Sequence, residues 1–171
     1  FKLLEEVTKR FTAEFGVRAF LIDDWNQSLK VVKKWVEDDN HHLRRLASEG
    51  TRPLLPWGQK LKEVEADLDK TWWIIEALKD DDSEYIRKSV ANHINDHSKK
   101  FPKEVISRLK KWDTKKAHLF WIIKHGLRTQ IKNANPEALA LIGVSAKSIK
   151  IVDFDLINKK VKLGETLKLK T

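Results

Sequence analysis

Two pairs of basic residues stand at matching places in the sequence, each shortly after an acidic run. The Arg-Arg pair at 44–45 follows the acidic residues 37–39, and the Arg-Lys pair at 87–88 follows the acidic residues 80–82. Clustered arginine and lysine side chains can hold phosphate groups, and the chain has a net charge of +9 and a pI near 9.6. This excess favours an acidic partner, with nucleic acid the foremost candidate, although it also fits a plain basic surface.

Other residue types exclude several kinds of site. The chain has no cysteine, which excludes disulfide bonds and a thiolate zinc site and favours an intracellular, cytoplasmic protein. Its six histidines show no metal-ligand spacing together with carboxylates, so neither a metal nor a cofactor is predicted. Because no apolar run is long enough to span a bilayer, no membrane partner is expected.

The basic pairs open two related helical stretches. Residues 40–57 (NHHLRRLASEGTRPLLPW) and 83–97 (SEYIRKSVANHINDH) both place an aliphatic residue before the pair, and looser copies lie at 11–22 and 117–133. Each copy is typical of the second helix of a helical hairpin, with acidic residues near the helix N-terminus, where the macrodipole favours negative charge. A spacing of roughly 35 to 43 residues predicts an all-α, HEAT-like repeat α-solenoid with a concave inner surface.

Apolar periodicity predicts further helices between these copies. They cover Lys2 to Phe11, Trp25 to Val36, Thr71 to Leu78, Phe101 to Trp112 and Pro136 to Ile142, with a short helix opened by Pro56 and running toward Val64. All tryptophans except Trp57 are expected to be core: Trp25, Trp35, Trp72, Trp73, Trp112 and Trp121.

The apolar period changes to two after Gly143. Residues 148–157 and 166–170 alternate apolar and polar side chains, as strands do. Two strands do not make a stable sheet alone. We therefore expect residues 1–143 to form an N-terminally incomplete helical domain, and residues 144–171 to form a linker and the first strands of a truncated C-terminal β-domain.

Four motifs resemble the AlkC branch of the AlkC/AlkD DNA alkylation repair glycosylases: FTAEFGVRAFL, LRRLASEGTRPLLPW, DDSEYIRKSVANHINDHSKKFP, and WIIKHGLRTQIK followed by ALALIG. The similarity runs from Phe11 to Gly143, in order. The chain departs from the family pattern at Ala19, where a proline is expected, and lacks the helical region expected before Phe1.

This resemblance implies an alkylpurine DNA glycosylase that wraps duplex DNA. It implies excision of cationic N-methylated bases, chiefly 3-methyladenine and possibly 3-methylcytosine, without base flipping, and a β tail that begins an immunoglobulin-like domain. We expect a monomer that acts without a cofactor. The alternative is a non-catalytic HEAT-repeat module that binds DNA or an acidic protein, and a protein-interaction scaffold is a third hypothesis.

Excision of a cationic base demands little acid catalysis, because the methylated base is already a good leaving group. The sugar becomes oxocarbenium-like as the bond breaks, so carboxylates can stabilise it and one of them can position water. By the resemblance, Glu14, Glu49 and Asp96 take these roles, with Asp96 nearest the sugar and the water. The alternative is that each carboxylate only forms a salt bridge with an arginine: Arg18, Arg45 or Arg52.

Aromatic and basic residues complete the predicted site. Trp57 is expected to contact the cationic base by a cation–π attraction, or else to pack under the helix that follows Pro56. Phosphate contacts are expected from Arg45, Arg52, Lys88, His125 and Arg128. Arg44 and Arg87 are expected to link neighbouring repeats. Asn92 is given a structural role, while His93 and Asn95 either bond between repeats or line the DNA channel.

Overall fold

The computed structural model describes residues 1–145, 153 and 155–170. Within these residues it contains eleven helices: α1 (Lys2–Thr8), α2 (Glu14–Asp23), α3 (Trp25–Val36), α4 (His41–Gly50), α5 (Lys62–Ala66), α6 (Asp69–Leu78), α7 (Glu84–Lys100), α8 (Pro102–Leu109), α9 (Ala117–Gly126), α10 (Arg128–Lys132) and α11 (Pro136–Leu141). None of these helices is both long and apolar enough to cross a membrane.

The helices stack in two layers. A front layer runs α2, α4, α7, α9, each helix packing on the next, and a back layer of α3, α6 and α8 packs behind it. The core lies between the layers, where the stripe Ile86, Val90 and Ile94 of α7 is fully buried. The predicted all-α helical repeat is therefore confirmed, and its front layer consists of the helices that carry the repeated motifs.

Close approach of the front helices depends on a small residue. A Cβ atom on Gly126 of α9 would lie 2.7 Å from Cγ2 of Ile94 on α7 and 3.4 Å from the carbonyl oxygen of Ala91. Contacts below 3.0 Å force a shift, and a helix backbone has little room to give. Glycine at 126 thus lets α9 lie directly against α7.

The acidic turns fix the repeats to each other. Arg44 donates from Nη1 to the carbonyl oxygens of Asp38 (2.8 Å) and Asp39 (2.9 Å), and from Nε to Oδ2 of Asp81 in the next repeat (2.7 Å). Among the described residues, Arg87 donates to the carbonyl oxygens of its own turn, those of Asp81 and Asp82. Arg44 therefore links two repeats as expected, whereas the contacts of Arg87 secure a single turn.

Three predicted elements differ from the structure. No helix starts at Pro56: residues 51–61 form an irregular segment, Trp57 has a φ of 59°, and the next helix begins at Lys62. The predicted unit at 117–133 is two helices, α9 and α10, divided at Leu127. Trp121 is not core, because 38% of it is exposed.

The C-terminal strands form a small sheet. β1 (Asp155–Leu156) pairs antiparallel with β2 (Leu169–Lys170), and Leu156 lies opposite Leu169. All four residues are exposed. Part of the predicted strand at 148–157 falls outside the described residues, and the immunoglobulin-like domain remains a prediction.

Candidate functional site

Three carboxylates lie on successive front helices and are almost entirely buried. Glu14 begins α2, Glu49 lies in the last turn of α4, and Asp96 lies in the second half of α7, with exposures of 8%, 6% and 3%. Buried carboxylates require paired charges or hydrogen bonds. Two arginines supply them and join the three carboxylates into one network, called here the carboxylate network.

Arg45 joins the first two carboxylates. It donates from Nη1 to Oε2 of Glu14 (3.0 Å) and to Oγ1 of Thr12 (3.2 Å), and its Nη2 lies 3.8 Å from Oε1 of Glu49. Its guanidinium carbon also stands 5.1 Å from the centre of the Tyr85 ring. The Arg45 guanidinium therefore has four contacts, with Glu14, Thr12, Glu49 and Tyr85.

Arg52 joins the second carboxylate to the third. Its Nη1 donates to Oε1 of Glu49 (2.5 Å) and its Nε donates to Oδ2 of Asp96 (2.9 Å). Burial opposes the charge on Arg52, but the attraction of Glu49 and the bond to Asp96 outweigh it, so the pKa of Arg52 is raised. The arginine thus stays charged and fixes two carboxylates of neighbouring helices.

A serine that the sequence analysis did not single out completes the surroundings of Glu49. Ser89 on α7 donates from Oγ to Oε2 of Glu49 at 2.6 Å, and its Oγ lies 3.1 Å from Oγ of Ser48. Both oxygens of Glu49 are therefore engaged by the protein. The sequence gives only a weak signal for Ser89, because Ser89 is one of several small polar residues at buried positions of the repeats.

Asp96 is bonded less completely than Glu49. Its Oδ2 accepts from Arg52, whereas the nearest cation to Oδ1 is the Lys99 ammonium at 3.5 Å, on a side chain that is 43% exposed. Asp96 also lines a pocket of about 290 Å³ together with Pro53, Leu54, Glu65, His97, Lys99, Lys100 and Phe101. Asp96 therefore lines a space for a ligand, and within the described residues its Oδ1 is held only by the ion pair with Lys99.

Arg18 shapes the segment between α4 and α5. It is fully buried and donates to three carbonyl oxygens of that segment: Gly50 (3.0 Å), Arg52 (2.8 Å) and Gln59. Burial, together with the nearby Arg52, lowers the pKa of Arg18 to about 10. The alternative in which Arg18 pairs with a carboxylate is not what the structure has, since this arginine binds backbone instead.

Trp57 stands at the tip of the same segment. Its side chain is 98% exposed and its φ of 59° lies in the left-handed region, which is strained for a residue with a Cβ atom. It does not pack under a following helix. A strained turn that Arg18 holds in place presents an entire indole to the outside.

The remaining predicted phosphate contacts lie on α7 to α10. Lys88 is exposed on α7, and Arg128 at the start of α10 donates from Nη1 to the carbonyl oxygen of His125 (2.9 Å). His125 stacks on Trp121, with ring centroids 4.9 Å apart and planes within 6°. Arg45 and Arg52, by contrast, are nearly buried and are occupied by the carboxylate network.

Comparison with known proteins identifies the family to which this arrangement belongs. Residues 11–132 match the family model described as DNA alkylation repair enzyme. The chain belongs to this family. The match spans all three carboxylates and both arginines that join them, so the whole network lies inside the family region.

Solved structures and a bacterial relative agree with this assignment. The alkylpurine DNA glycosylase AlkC of Pseudomonas fluorescens, bound to DNA containing an abasic site analog, is 46% identical with a TM-score of 0.84 over 85% of this chain. AlkD2 of Streptococcus mutans is 26% identical with a TM-score of 0.62 over 74% of this chain and 65% of its own. The protein YhaZ of Bacillus subtilis strain 168 is 42% identical over 167 residues, 97% of this chain.

The chain is shorter than these relatives. It spans 47% of YhaZ and 41% of AlkC. The similarity therefore establishes the fold and the family for the helical repeats.

In this member of the DNA alkylation repair enzyme family, two histidines are buried on α7, the helix that carries Asp96. His93 and His97 place Nε2 atoms 3.0 Å from Oγ1 of Thr71 on α6, and their rings stack at 5.1 Å. Burial lowers the pKa of both, that of His97 to about 4. Asn95 accepts from Thr129 (2.9 Å) in the next repeat. His93 and Asn95 thus bond between helices.

No group of three or more side chains that could hold a metal ion is present among the described residues.

Proposed function

We propose that this protein is a DNA glycosylase that hydrolyses the bond between deoxyribose and a cationic N-methylated base in duplex DNA. The observation that carries the proposal is the carboxylate network, in which three buried carboxylates converge from three helices and Asp96 lines a pocket. Membership of the DNA alkylation repair enzyme family and similarity to AlkC also support the proposal.

The reaction needs only water as a second reactant. The C1′–N bond breaks with its electron pair going to the base, which carried a positive charge and leaves neutral. The sugar is left positively charged, and the carboxylates of Asp96, Glu49 and Glu14 stabilise that charge. Water attacks C1′ through its oxygen and transfers a proton to Asp96, whose Oδ1 is held only by the exposed Lys99 within the described residues.

The three carboxylates divide these roles according to their contacts. Both oxygens of Glu49 accept hydrogen bonds from Arg52 and Ser89, so Glu49 contributes a fixed negative charge. Glu14 is paired with Arg45 and acts at longer range. Asp96 positions water and lies nearest the sugar. A carboxylate that is paired with an arginine still contributes to the electrostatic stabilisation of a cationic transition state. Pairing with arginine is therefore compatible with a catalytic role.

Trp57 is proposed as the contact for the cationic base. A fully exposed indole attracts a cation over its face, an effect worth about 0.5 to 2 kcal/mol depending on desolvation. A neutral base gains less from this contact. We propose 3-methyladenine as the main substrate, with 3-methylcytosine as a further candidate, excised without flipping the base into the protein.

We propose that Lys88, His125 and Arg128 bind phosphates. Arg45 and Arg52 are proposed to contribute to phosphate binding by electrostatic attraction. The unit that carries this function is residues 1–143, acting as a monomer. Residues 144–171 are proposed as a linker and the first strands of a β-domain with an immunoglobulin-like fold.

The test is release of bases from duplex DNA treated with a methylating agent. Free 3-methyladenine, 3-methylcytosine and 7-methylguanine are measured by mass spectrometry, with untreated duplex as the control. We expect release of 3-methyladenine. If no pocket must enclose the base, a duplex treated with an agent that adds larger alkyl groups should release adenines carrying those groups at N3 as well. Absence of release, with equal binding of treated and untreated duplex, would instead establish the non-catalytic DNA-binding module.

A further inference from the structure

A stacked pair of rings on α9 lies outside both the core and the carboxylate network. Trp121 and His125 stand one helical turn apart, and 38% of Trp121 is exposed. The buried face of the same helix is formed by Leu119, Ile122 and Ile123. Since core packing does not explain the position of Trp121, the pair is free to meet a ligand.

Cations without carboxylate partners surround the pair. Among the described residues, Lys88, Lys124 and Arg128 have no carboxylate within ion-pair distance, although other lysines of this protein are paired, such as Lys110 with Glu137 at 2.6 Å. Burial, with Arg128 and then Lys88 nearby, lowers the pKa of His125. The imidazole is therefore neutral at pH 7 and offers an aromatic face, while its neighbours supply positive charge.

We propose that the Trp121–His125 pair, flanked by Lys88 and Arg128, is a docking surface for the sugar–phosphate backbone of duplex DNA. Unpaired cations beside a flat apolar ring match alternating phosphates and deoxyriboses, the ring packing on a sugar while the cations contact phosphates. This inference rests on the proposed DNA-binding function. It assigns to Trp121 a contribution to DNA affinity that does not depend on a methylated base, whereas the contact proposed for Trp57 does depend on it.

The test measures binding of a fluorescently labelled, unmodified duplex by anisotropy over a series of salt concentrations. Trp121→Ala is expected to weaken binding about fivefold, Trp121→Phe by less, and His125→Ala to weaken it as well, by removing the support of the indole. Phe20→Ala is the matched control, since Phe20 is a similarly exposed ring (44%) on α2. Circular dichroism checks that each variant is folded.

Salt dependence separates the two parts of the surface. Lys88→Gln should reduce the slope of log affinity against log salt by about 0.9, the value for one phosphate contact, whereas Trp121→Ala should leave the slope unchanged. Affinities of Trp121→Ala and His125→Ala equal to that of Phe20→Ala would overturn the proposal. Failure of the glycosylase function is recognised separately, by the absence of base release from the unmodified protein.

Discussion

Helix α7 carries two groups of buried polar residues that differ in charge. On the front, Asp96 and Ser89 belong to the carboxylate network, which they join through Arg52 and Glu49. On the back, His93 and His97 share the hydroxyl of Thr71. Both groups lie on one face of α7 between residues 89 and 97, the front group directed toward α4 and the back group toward α6. All four α7 residues are at most 3% exposed.

The two groups differ in the free-energy cost of burial, which is larger for the charged group. Burying an ion pair usually costs more in desolvation than it returns, so charged networks are weak evidence of stabilisation. Two neutral imidazoles that share a hydroxyl make an interhelical contact without charge, although their buried Nδ1 atoms have no hydrogen-bond partner among the described residues. We infer that the front group is kept for chemistry and the back group for packing, and the predictions below test this contrast.

The largest effect is expected from breaking the carboxylate network at its centre. Arg52→Ala removes the closest cation from both Glu49 and Asp96 and leaves them only the more distant Arg45 and Lys99, so the free energy of unfolding should fall by about 3 to 5 kcal/mol. Urea unfolding measures this loss. Arg108→Ala is the control, because Arg108 pairs with an exposed Asp69 and should cost less than about 1 kcal/mol. Equal losses in the two variants would contradict the account.

Acid should act first on the back group. The pKa of His97 falls to about 4 in the folded protein, so protons favour the unfolded state, where an imidazole has its ordinary pKa near 6.5. Stability is therefore full above pH 6.5 and is lost as the pH falls toward 4, by about 3 kcal/mol for this group alone. Urea unfolding between pH 7 and 4.5 measures the loss.

His97→Gln provides the comparison for acid, since its amide does not titrate. The pH dependence of unfolding should become shallower in this variant. The same dependence in both proteins would show that the buried imidazole does not set the acid response.

A smaller effect is expected from the serine on the front of α7. Ser89→Ala removes a donor from Glu49 at 2.6 Å, which should cost about 1 to 3 kcal/mol of unfolding free energy and slow base release. Ser98→Ala makes the same substitution on the same helix, where the hydroxyl donates to the carbonyl of Asn95. This control should leave base release unchanged; release slowed equally in both would argue against a role for Ser89.

The smallest effect concerns the strained turn outside both groups. Trp57→Gly should stabilise the fold by about 1 kcal/mol, because glycine adopts a positive φ without strain. It should also abolish preferential binding of methylated over unmodified duplex. Trp57→Ala keeps the strain and should show only the second change, and unaltered preference in both variants would exclude Trp57 as the lesion contact.

The sequence predicted the repeats well, and its errors have physical causes. The span of α3 agrees because its apolar stripe and the capping Asp24 are local signals. The helix expected after Pro56 fails because Arg18, about forty residues earlier in the chain, binds the carbonyls of this segment. Trp121 was misread because composition alone does not reveal which side of a helix faces the core.

The candidate site shows the same limit. The positions of Glu14, Glu49 and Asp96 came from the family resemblance, and the structure brings them into one network. Ser89 and the two-sided bonding of Arg52 could not be predicted, since they depend on the register of α4 against α7. Periodicity predicts which helices meet, but not which side chains lie opposite each other.

The most direct test of the contrast compares one variant from each side of α7. Asp96→Asn and Thr71→Val are assayed together for release of 3-methyladenine and for the free energy of unfolding. We expect Asp96→Asn to lose base release while remaining folded, with a lower free energy of unfolding because the buried Arg52 loses one of its two carboxylate partners. Thr71→Val should lose stability and retain release. Base release at the unmodified rate by a folded Asp96→Asn variant would contradict the account.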